Sequence, residues 1–526
     1  MGEDLYELPK GWIWVNLEQV ASVVDPQPSH RTPPEVDGGI PYVGMGDINN
    51  RKIDFEKARK VSYKVLEEHR ERYQLKYGDF IFGKIGTLGK PAKLTQPFNY
   101  ALSANVVLIQ PNNAFLNASF AFTYMDSPFI EAILQKGRRA TTQAAFGIQR
   151  IRVFPFPLPP LAEQHRIVAK IEELFTQLDA GVELLKKVKA KLKRYRQTVL
   201  KAAVEGNLTK EWREANQGEL EPASVLLERM LKQRREKWEA EQLAKMKAQG
   251  KTPKDDSWKL KYKEAFAPDT SDLCELPDGW CWAKIEQLGR VQGGRQRAPR
   301  HHTGEHMRPY LRPANVFENR IDTSSILEMN FTPEEFKIYE LKYGDILLNE
   351  GQSLELVGRP AIYRNEVPGA CFQNTLVRFQ SSDGLITEFA LYVFLAYLHN
   401  GRFQKIARWT TNIAHLGSTR FAELEFPLAS INEQKAIVTE IERITSIIEQ
   451  IEKTINANLK RAEKLRQTIL KQAFEGKLVP QDPNDEPAEK LLERIKAEKA
   501  KQVTTKTKKK TKSQPQSPAQ LALPLE

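Results

Sequence analysis

The sequence predicts a mixed α and β fold (α+β) in which two globular domains are separated by a pair of long antiparallel coiled-coil helices with pseudo-twofold symmetry. Three observations lead to this prediction. The two halves of the 526-residue chain match each other at a spacing of about 270 residues, each half opens with short β-like runs, and each half closes on a long amphipathic helix. A repeat this long indicates a duplicated domain pair, because solenoid repeats run ~20–50 residues.

The repeat is a series of matching segments that follow the same order in both halves. Their spacings vary by only a few residues, so each half is one complete unit. The matching pairs are LYELPKGWIWVNLEQV at 5–20 and LCELPDGWCWAKIEQL at 273–288, LKYGDFIF at 75–82 and LKYGDILL at 341–348, FPLPPLAEQ at 156–164 and FPLASINEQ at 426–434, YRQTVLKAAVEGNLT at 195–209 and LRQTILKQAFEGKLV at 465–479, and EPASVLLERM at 221–230 and EPAEKLLERI at 486–495.

Each half begins with a globular stretch of about 155 residues, in which β-like runs such as 106–109 and 346–348 alternate with Gly, Pro and Asn turns. The order of the motifs predicts the domain boundaries. They are a first globular domain at 1–157, a central helix at 158–206, a charged helical linker at 207–272, a second globular domain at 273–428, a distal helix at 429–476, and a helical extension with a disordered basic tail at 477–526.

A long helix follows the globular stretch in each half. Its apolar residues step by three or four positions, which predicts a coiled-coil seam. A helix with one apolar stripe cannot remain alone in water, so we expect the two helices to pair, antiparallel. Ser430 and Glu433 predict a capping box at the start of the second helix. The seam residues are Ile167, Ile171, Leu174, Leu178, Leu185 and Leu192 in the first helix, and Ile437, Ile441, Ile444, Ile448, Ile455 and Leu465 in the second.

Composition excludes several classes of protein. No apolar run approaches the ~20 residues of a membrane span, and the opening MGEDLYELPKGW lacks the regions of a signal peptide. Three cysteines are too few for a disulfide framework, which predicts a cytoplasmic protein. The net charge of +12 permits a polyanion partner, but residues 496–526 supply half of it with eight lysines and two glutamates. Charge alone is therefore weak evidence for such a partner.

No catalytic motif is found in the sequence. Glycine-rich GKIGTLGK at 83–90 resembles a phosphate loop, but its glycines are spaced one residue too far apart, and Pro91 replaces the Ser or Thr that binds magnesium. The Pro-Asp pairs at 268–269 and 277–278 lack the Asp/Glu-x-Lys partner of a common nuclease site. No Asn- or Asp-Pro-Pro-aromatic tetrapeptide of an amino-methyltransferase occurs. We therefore expect no catalytic residue in this chain.

A metal site is not expected either. His301, His302 and His306 form the one histidine cluster near cysteines, and their spacing fits no zinc template. Loop histidines beside three arginines suit phosphate or base contacts as well. Cys371 is expected in the core, and so are four tryptophans shared by the repeats: Trp12, Trp14, Trp280 and Trp282.

The duplicated globular domains, the heptad helices, the LPxGW openings at 8–12 and 276–280 and the paired LKYGD segments resemble the specificity subunits (HsdS) of type I restriction–modification enzymes. The resemblance covers roughly 1–210 and 273–495. In that family each globular domain is a target recognition domain that reads one half of a split, asymmetric DNA sequence. The helices set the gap between the halves and bind methyltransferase subunits.

The resemblance implies a recognition subunit that is not itself an enzyme. Its implied partners are double-stranded DNA, two methyltransferase (modification) subunits that methylate adenine N6, and two restriction/translocase subunits with ATP-dependent endonuclease activity; no membrane partner is implied. It implies no cofactor in this chain, since S-adenosylmethionine, ATP and magnesium serve the partners. The linker at 207–272 is then either an extra docking helix for the methyltransferase or a solvated spacer.

Reading base edges requires polar side chains on loops that reach the major groove. Three segments of each globular domain, and a further arginine-rich loop in the second, contain such residues. In the first domain the candidates for DNA binding are Lys84, Thr87, Lys90, Ser103, Asn105, Arg138, Arg139, Thr141, Thr142, Gln143 and Gln149. In the second they are Arg295, Arg297, Arg300, Asn349, Glu350, Gln352, Ser353, Gln373, Asn374, Arg408, Thr410, Thr411, Asn412 and Ser418.

Two other functions stay open at the level of the sequence. One is a restriction–modification subunit that fuses recognition with catalysis, against which the missing methyltransferase and nuclease motifs argue. The other is a coiled-coil adaptor whose globular domains bind protein, which would show no preference among DNA sequences.

Overall fold

Two units make up the chain, and unit 1 combines segments from both ends of the sequence. In this computed structural model unit 1 comprises Met1–Leu185 and Asn456–Glu526, and unit 2 comprises Lys186–Ile455. Two 44-residue helices, Leu161–Val204 and Ile431–Phe474, each begin in one unit and end in the other. The structure describes residues 5–49, 52–138, 145–253, 255–271, 273–410 and 412–498.

The first globular domain lies in unit 1 and mixes short strands with short helices. Its strands are β1 (Ile13–Asn16), β2 (Ala21–Val24), β3 (Ile40–Val43), β4 (Ile48–Asn49), β5 (Lys52–Ile53), β6 (Arg59–Val61), β7 (Phe80–Gly83), β8 (Gly89–Lys93), β9 (Ala101–Leu102), β10 (Val106–Pro111) and β11 (Pro155–Leu158). Its helices are α1 (Leu17–Val20), α2 (Tyr63–Arg72), α3 (Ala118–Met125), α4 (Pro128–Arg138) and α5 (Ile148–Arg152).

The helical middle of the chain consists of α6 (Leu161–Val204), α7 (Lys210–Ala215) and α8 (Ala223–Ala248). The second domain has β12 (Cys281–Lys284), β13 (Gly289–Gly293), β14 (Met307–Leu311), β15 (Val316–Phe317), β16 (Arg320–Ile321), β17 (Leu327–Asn330), β18 (Ile346–Asn349), β19 (Gly351–Gln352), β20 (Pro360–Ile362), β21 (Cys371–Phe372), β22 (Leu376–Ser381), β23 (Arg408–Thr410), β24 (Ile413–His415) and β25 (Glu425–Leu428). Its helices are α9 (Ile285–Leu288), α10 (Pro333–Tyr339), α11 (Thr387–His399), α12 (Arg402–Ile406), α13 (Ser418–Glu423) and α14 (Ile431–Phe474), and a final helix covers 488–498.

A four-stranded antiparallel sheet organises each domain, in the order β2-β10-β7-β8 in the first and β13-β22-β18-β20 in the second. Strand β7 is buried on both faces. Phe80 and Phe82 face one apolar cluster and Ile81 the other, because successive strand residues point to opposite sides. The second domain repeats this arrangement in β18, where Leu347 faces away from its two neighbours.

A second pairing ties the opening of each domain to the start of its long helix. Strand β1 pairs antiparallel with β11, and β12 pairs with β25. The indole Nε1 of buried Trp12 donates to Glu163 Oε2 at 2.8 Å, and that of buried Trp280 donates to Glu433 Oε2 at the same distance. The prediction that these two tryptophans are core residues is confirmed. Cys371 is buried as well, as predicted.

The long helices pack against each other within each unit. In unit 1 Ile167 and Ile171 of α6 share an apolar cluster with Leu470 and Phe474 of α14, and Arg466 forms an ion pair with Asp179. The first turns of α6 therefore lie with the last turns of α14, which is an antiparallel arrangement. In unit 2 the last turns of α6 share a cluster with Ile437, Ile441, Ile444 and Ile448 of α14, and Arg196 pairs with Glu452.

The predicted mixed fold, the internal repeat and the pair of long antiparallel helices are confirmed. Among the seam residues, Leu465 is 48% exposed, whereas Ala462 and Ile469 on either side of it are buried. The prediction placed Leu465 at a strict heptad position, and a straight helix drifts from that spacing by about 20° per heptad. Leu174, Leu178, Leu185 and Leu192 are half-buried.

The predicted capping box is only half formed. The Ser430 hydroxyl accepts the hydrogen bond of the Glu433 backbone N–H at 3.2 Å, as predicted. The Glu433 side chain, however, binds Trp280 and residues beyond α6 instead of returning to the backbone of Ser430. The hydrogen bonds of this carboxylate with Trp280, Thr209 and Arg213 are stronger than one with the backbone N–H of Ser430, because the bond with Arg213 is charge-assisted.

Each long helix is followed by a segment that packs onto the globular domain of the unit in which that helix ends. In unit 1 the extension 475–498 follows α14, and its Ala488 N–H donates to Gly11 O at 3.0 Å. In unit 2 the linker 205–248 follows α6, and its Ala223 N–H donates to Gly279 O at 2.8 Å. The linker predicted to be helical contains α8. We call these two stretches the docking segments.

Glycines begin both docking segments for a steric reason. Gly206 and Gly476 have φ angles of +69° and +67°, a conformation that favours glycine. A Cβ atom on Gly206 would lie 2.4 Å from Pro277 Cγ, and one on Gly476 would lie 2.2 Å from Pro9 Cγ. The chain can therefore turn back onto the domain only where no side chain is present.

None of the described helices is both long and apolar enough to cross a membrane.

Candidate nucleic-acid interface

Backbone hydrogen bonds bring the three predicted polar segments of the first domain to one edge of its sheet. Strand β7 ends at Gly83, and the next N–H, that of Lys84, donates to Asn105 O at 2.9 Å. The N–H of Phe146 donates to Lys84 O at 2.7 Å, and Ile85 forms a β-bridge with Ala145. The loop after β7, the turn before β10 and the segment that leads into α5 are therefore neighbours.

The side chains at this edge form an exposed layer and an inner layer. Thr87, Lys90 and Gln149 are exposed. Lys84 is only 3% exposed, and its Nζ lies 2.6 Å from Asp25 Oδ2. The ion pair holds the ammonium group inside the domain, where it fixes the loop.

The turn before β10 belongs to the inner layer. Ser103 is buried and donates to the side chain of Asn105, which is half-buried. The sequence analysis missed Asp25, the partner of Lys84. The one signal in the sequence is an aspartate directly after the apolar run SVV. Arg138 is the last residue of α4, while Arg139, Thr141, Thr142 and Gln143 lie outside the described residues.

The second domain repeats this edge with different side chains. The N–H of Leu416 donates to Glu350 O, and the N–H of Glu350 donates to Thr375 O, both at 2.8 Å. Strands β19, β24 and β23 form a small antiparallel sheet at this point. The β23–β24 hairpin presents Arg408, Thr410 and Asn412 to solvent. Thr411 lies outside the described residues, and Ser418 is exposed at the start of α13.

An exposed tryptophan on this hairpin is a residue that the sequence analysis missed. Trp409 is 59% exposed between Arg408 and Thr410. A flat aromatic side chain among hydrogen-bonding residues is typical of binding surfaces. The candidates for base contact were polar residues, so this tryptophan was not among them.

A second loop joins this edge through the pairing of Arg295 with Gln373. Arg295 is buried, its Nε lies 2.8 Å from Glu335 Oε1, and its guanidinium stacks on Phe331. Arg297 and Arg300 are exposed, and each donates to a neighbouring histidine ring at 3.1 Å. Asn374 is exposed and Gln373 is half-buried.

The loop after β18 begins with Asn349 and Glu350, both predicted to bind DNA. Asn349 is 0% exposed, and neither atom of its amide has a hydrogen-bond partner among the described residues. Glu350 Oε2 lies 3.1 Å from His415 Nδ1. Gln352 and Ser353 follow and are half-buried.

The two edges therefore share one construction, in which an inner layer of paired polar residues holds loops that expose hydrogen-bonding side chains. This construction suits recognition of base edges and phosphates. The described residues give less support to a catalytic site. The described residues contain no group of three His, Cys, Asp or Glu side chains arranged to hold a metal ion. Burial raises the pKa of the Cys371 thiol to about 12, so it is not a thiolate nucleophile at neutral pH.

Comparisons with known proteins agree with this construction. The family model described as "Type I restriction modification DNA specificity domain" matches residues 9–194 and, a second time, residues 277–461. The specificity subunit of the type I restriction enzyme EcoKI from Escherichia coli (strain K12) is 23% identical over 517 residues, which cover 94% of this chain and 97% of that protein. The adaptor and the fused enzyme are not favoured by these matches.

Two solved structures share the fold. The HsdS subunit from Thermoanaerobacter tengcongensis aligns with a TM-score of 0.50 at 19% identity, over 91% of this chain and 100% of that chain. A chain from a structural study of complex assembly and conformational transition of the type I R-M system aligns with a TM-score of 0.58 at 19% identity, over 90% of this chain and 100% of that chain.

Proposed function

Because the chain belongs to the family of type I restriction modification DNA specificity domains, we propose that it is the subunit that selects the DNA sequence on which a type I restriction–modification complex acts. The observation that carries the proposal is the double match of the family model, once to each half of the chain. A chain with two recognition domains of different sequence reads a target in two different halves.

The exposed side chains at the two sheet edges supply the reading. Thr87, Lys90 and Gln149 serve the first domain, and Arg408, Thr410 and Asn412 serve the second. Arginine pairs with guanine O6 and N7, and asparagine with adenine N6 and N7, each pairing discriminating by about 1–3 kcal/mol. The exposed sets differ between the domains, so the two half-sites differ in sequence.

The long helices set the unread gap between the half-sites. A helix of 44 residues measures about 66 Å at 1.5 Å per residue. A paired helix of this length is stiff, so it fixes how many base pairs separate the half-sites.

The chain itself is not an enzyme in this proposal. Two methyltransferase subunits methylate adenine N6 with S-adenosylmethionine, and two restriction/translocase subunits use ATP and magnesium. The complex acts in the cytoplasm on double-stranded DNA. The purified chain incubated with S-adenosylmethionine and target DNA should transfer no methyl group, and transfer by the chain alone would contradict this division of labour.

Exchange of one recognition domain tests the proposal. Replacing residues 1–157 by the equivalent domain of another family member should change one half of the methylated motif and leave the other half and the gap unchanged. Replacing residues 273–428 should change the other half. Genome-wide mapping of methylated adenines gives both motifs directly, and a change in both halves after one exchange would contradict the proposal.

Lengthening the helices tests the gap. Seven residues inserted after Leu178, matched by seven after Ile448 at the equivalent position of α14, add one heptad to both helices. That adds about 10 Å, or roughly 3 base pairs at 3.4 Å each. The half-sites should stay the same while the gap grows. An unchanged gap would refute the spacer role.

A further inference from the structure

One pentapeptide recurs letter for letter in the two otherwise divergent domains. LKYGD occupies 75–79 in the first and 341–345 in the second. Two of its residues have the same structural role in both copies. Asp79 accepts the N–H of Lys76 at 2.8 Å, and Asp345 accepts that of Lys342 at 3.0 Å. The glycines have φ angles of +94° and +90°, which favour glycine.

The tyrosine of the pentapeptide has no such role. Tyr77 is 85% exposed and Tyr343 is 72% exposed. Within the part of the chain that the structure describes, neither tyrosine makes a hydrogen bond or a ring contact. The lysines beside them are exposed as well. Stability of the folded domain therefore does not explain why Lys-Tyr stands at the tip of this turn twice.

A surface that is identical in both domains must meet identical chemistry at both. The proposed DNA half-sites differ, so base edges are not the common ligand. Two ligands remain that are the same at both domains: the phosphate backbone of DNA and a partner protein present in two copies. The position of the turn in the domain favours the partner protein.

The turn lies at the opposite end of the strand from the reading loop. Tyr77 precedes β7 and the loop 84–90 follows it, so the four-residue strand puts about 13 Å between them. Tyr343 has the same relation to β18. In the first domain the turn borders a cavity of about 310 Å³ lined by Tyr77, Leu94, Leu116, Phe122, Asn117 and His165. His165 belongs to the first turns of α6, so the turn lies beside the long helix.

We propose that Lys76-Tyr77 and Lys342-Tyr343 are two equivalent docking points, each of which binds one copy of the same partner protein. The tyrosine ring inserts into an apolar pocket of the partner, and the lysine pairs with a carboxylate at the rim of that pocket. Tyrosine is enriched among the residues that dominate binding at protein interfaces. The proposal rests on the proposed function, in which the methyltransferase and the restriction/translocase subunits are each present in two copies. Of these, the methyltransferase is the partner expected to bind the long helices, and the turn of the first domain lies beside α6.

The test counts copies of the methyltransferase subunit on the full-length chain. Native mass spectrometry of the co-expressed complex should show two copies for the native chain. Tyr77→Ala and Tyr343→Ala should each leave one copy. The double variant should bind no copy at concentrations near the dissociation constant of the native complex. We expect about 30-fold weaker binding per lost tyrosine. Tyr63→Ala removes an exposed tyrosine outside the repeated segments and should keep two copies.

Other results would overturn the proposal. Retention of both copies by the double variant refutes docking at these turns. If the double variant keeps both copies but binds DNA more weakly, with a shallower salt dependence, the turns contact phosphates instead. Failure of the proposed function looks different, since the native chain itself would then bind no methyltransferase subunit or methylate no two-part motif. Unchanged hydrogen exchange in the variants confirms that the domains stay folded.

Discussion

Glu163 in unit 1 and Glu433 in unit 2 occupy the same position of the repeat, in the first turn of a long helix. Each accepts a hydrogen bond from a buried tryptophan at 2.8 Å. In unit 2 the second carboxylate oxygen, Glu433 Oε1, also accepts hydrogen bonds from Thr209 at 2.8 Å and from Arg213 at 3.0 Å. In unit 1 Glu163 Oε1 is buried with no partner among the described residues.

The difference arises in the docking segments. Thr209 corresponds to Val479 in the repeat, and the segment that contains Arg213 has no counterpart after α14. Unit 1 forms its ion pair elsewhere, between Arg166 and Asp485 at 2.6 Å. The long helix thus contributes the carboxylate in unit 2, from Glu433, and the guanidinium in unit 1, from Arg166. The comparison shows that the two copies kept the position of the docking segment and reversed the charges that fasten it.

The largest expected effect separates the two glutamates. Glu433→Gln leaves the Arg213 side chain, which is only 12% exposed, without its carboxylate and should destabilise the docked linker by about 3–5 kcal/mol. Glu163→Gln removes a charge that has one donor, so its effect should stay within about 1 kcal/mol. Hydrogen exchange of residues 205–230 and 475–498 measures both at pH 7. Equal losses in the two segments would contradict the comparison.

The apolar contacts should behave alike in the two units. Leu226 and Leu491 are equivalent and buried in their docking segments. Leu226→Ala and Leu491→Ala should each cost about 3 kcal/mol, because both leave a cavity in a packed core. Val225→Ala, at an exposed position, is the control and should change stability by less than about 0.5 kcal/mol. The same exchange experiment reports all three, and a loss confined to one unit would show that the segments dock differently.

A smaller effect should make unit 1 resemble unit 2. Val479→Thr places a hydroxyl where Thr209 stands in the other copy, and its hydrogen bond to Glu163 should stabilise the extension by about 1 kcal/mol. Thr209→Val should destabilise the linker by a similar amount. Val479→Ala removes the methyl groups without adding a donor and controls for packing. Stabilisation by alanine as well as threonine would exclude the hydrogen bond as the cause.

The smallest effect is a dependence of stability on pH that arises from Glu163. Burial raises the pKa of Glu163 above its ordinary value of 4.5. Between that value and the raised one the folded unit binds more protons than the unfolded chain, so its stability falls as pH rises through this window and then levels off. The free energy of unfolding is measured by denaturation from pH 4 to pH 8 for the native protein and for Glu163→Gln. The contribution of Glu163 is the difference between the two slopes against pH. No difference in slope would contradict the shift.

The sequence predicts the architecture well because a duplication supplies its own comparison. Each half independently shows the heptad spacing and the LPxGW opening, so a chance pattern in one half would have failed in the other. Leu465 departs from the prediction because a straight helix drifts from heptad spacing, so Ala462 and Ile469 are buried in its place.

The binding edges are predictable as segments and less so as side chains. Polar composition identifies the loops after β7 and β18, which the structure brings together with the other predicted segments. Whether a residue points outward depends on partners far away in the chain, since Lys84 pairs with Asp25, 59 positions earlier. Arg295 turns inward for the same reason, toward Glu335. Trp409 was missed because only polar side chains were taken as candidates.

The docking of the extension onto the first domain has a consequence for how the protein is made. Unit 2 is one continuous stretch, whereas unit 1 needs residues 456 and beyond to cover Phe120 and Tyr124, which pack on Phe474. A ribosome that adds about 5–20 residues per second needs roughly 15–60 s to pass from residue 185 to residue 498. Of the two domains, the one that is synthesised first is thus the last to be completed, and its aromatic surface around Phe120 and Tyr124 stays uncovered until Phe474 has been made.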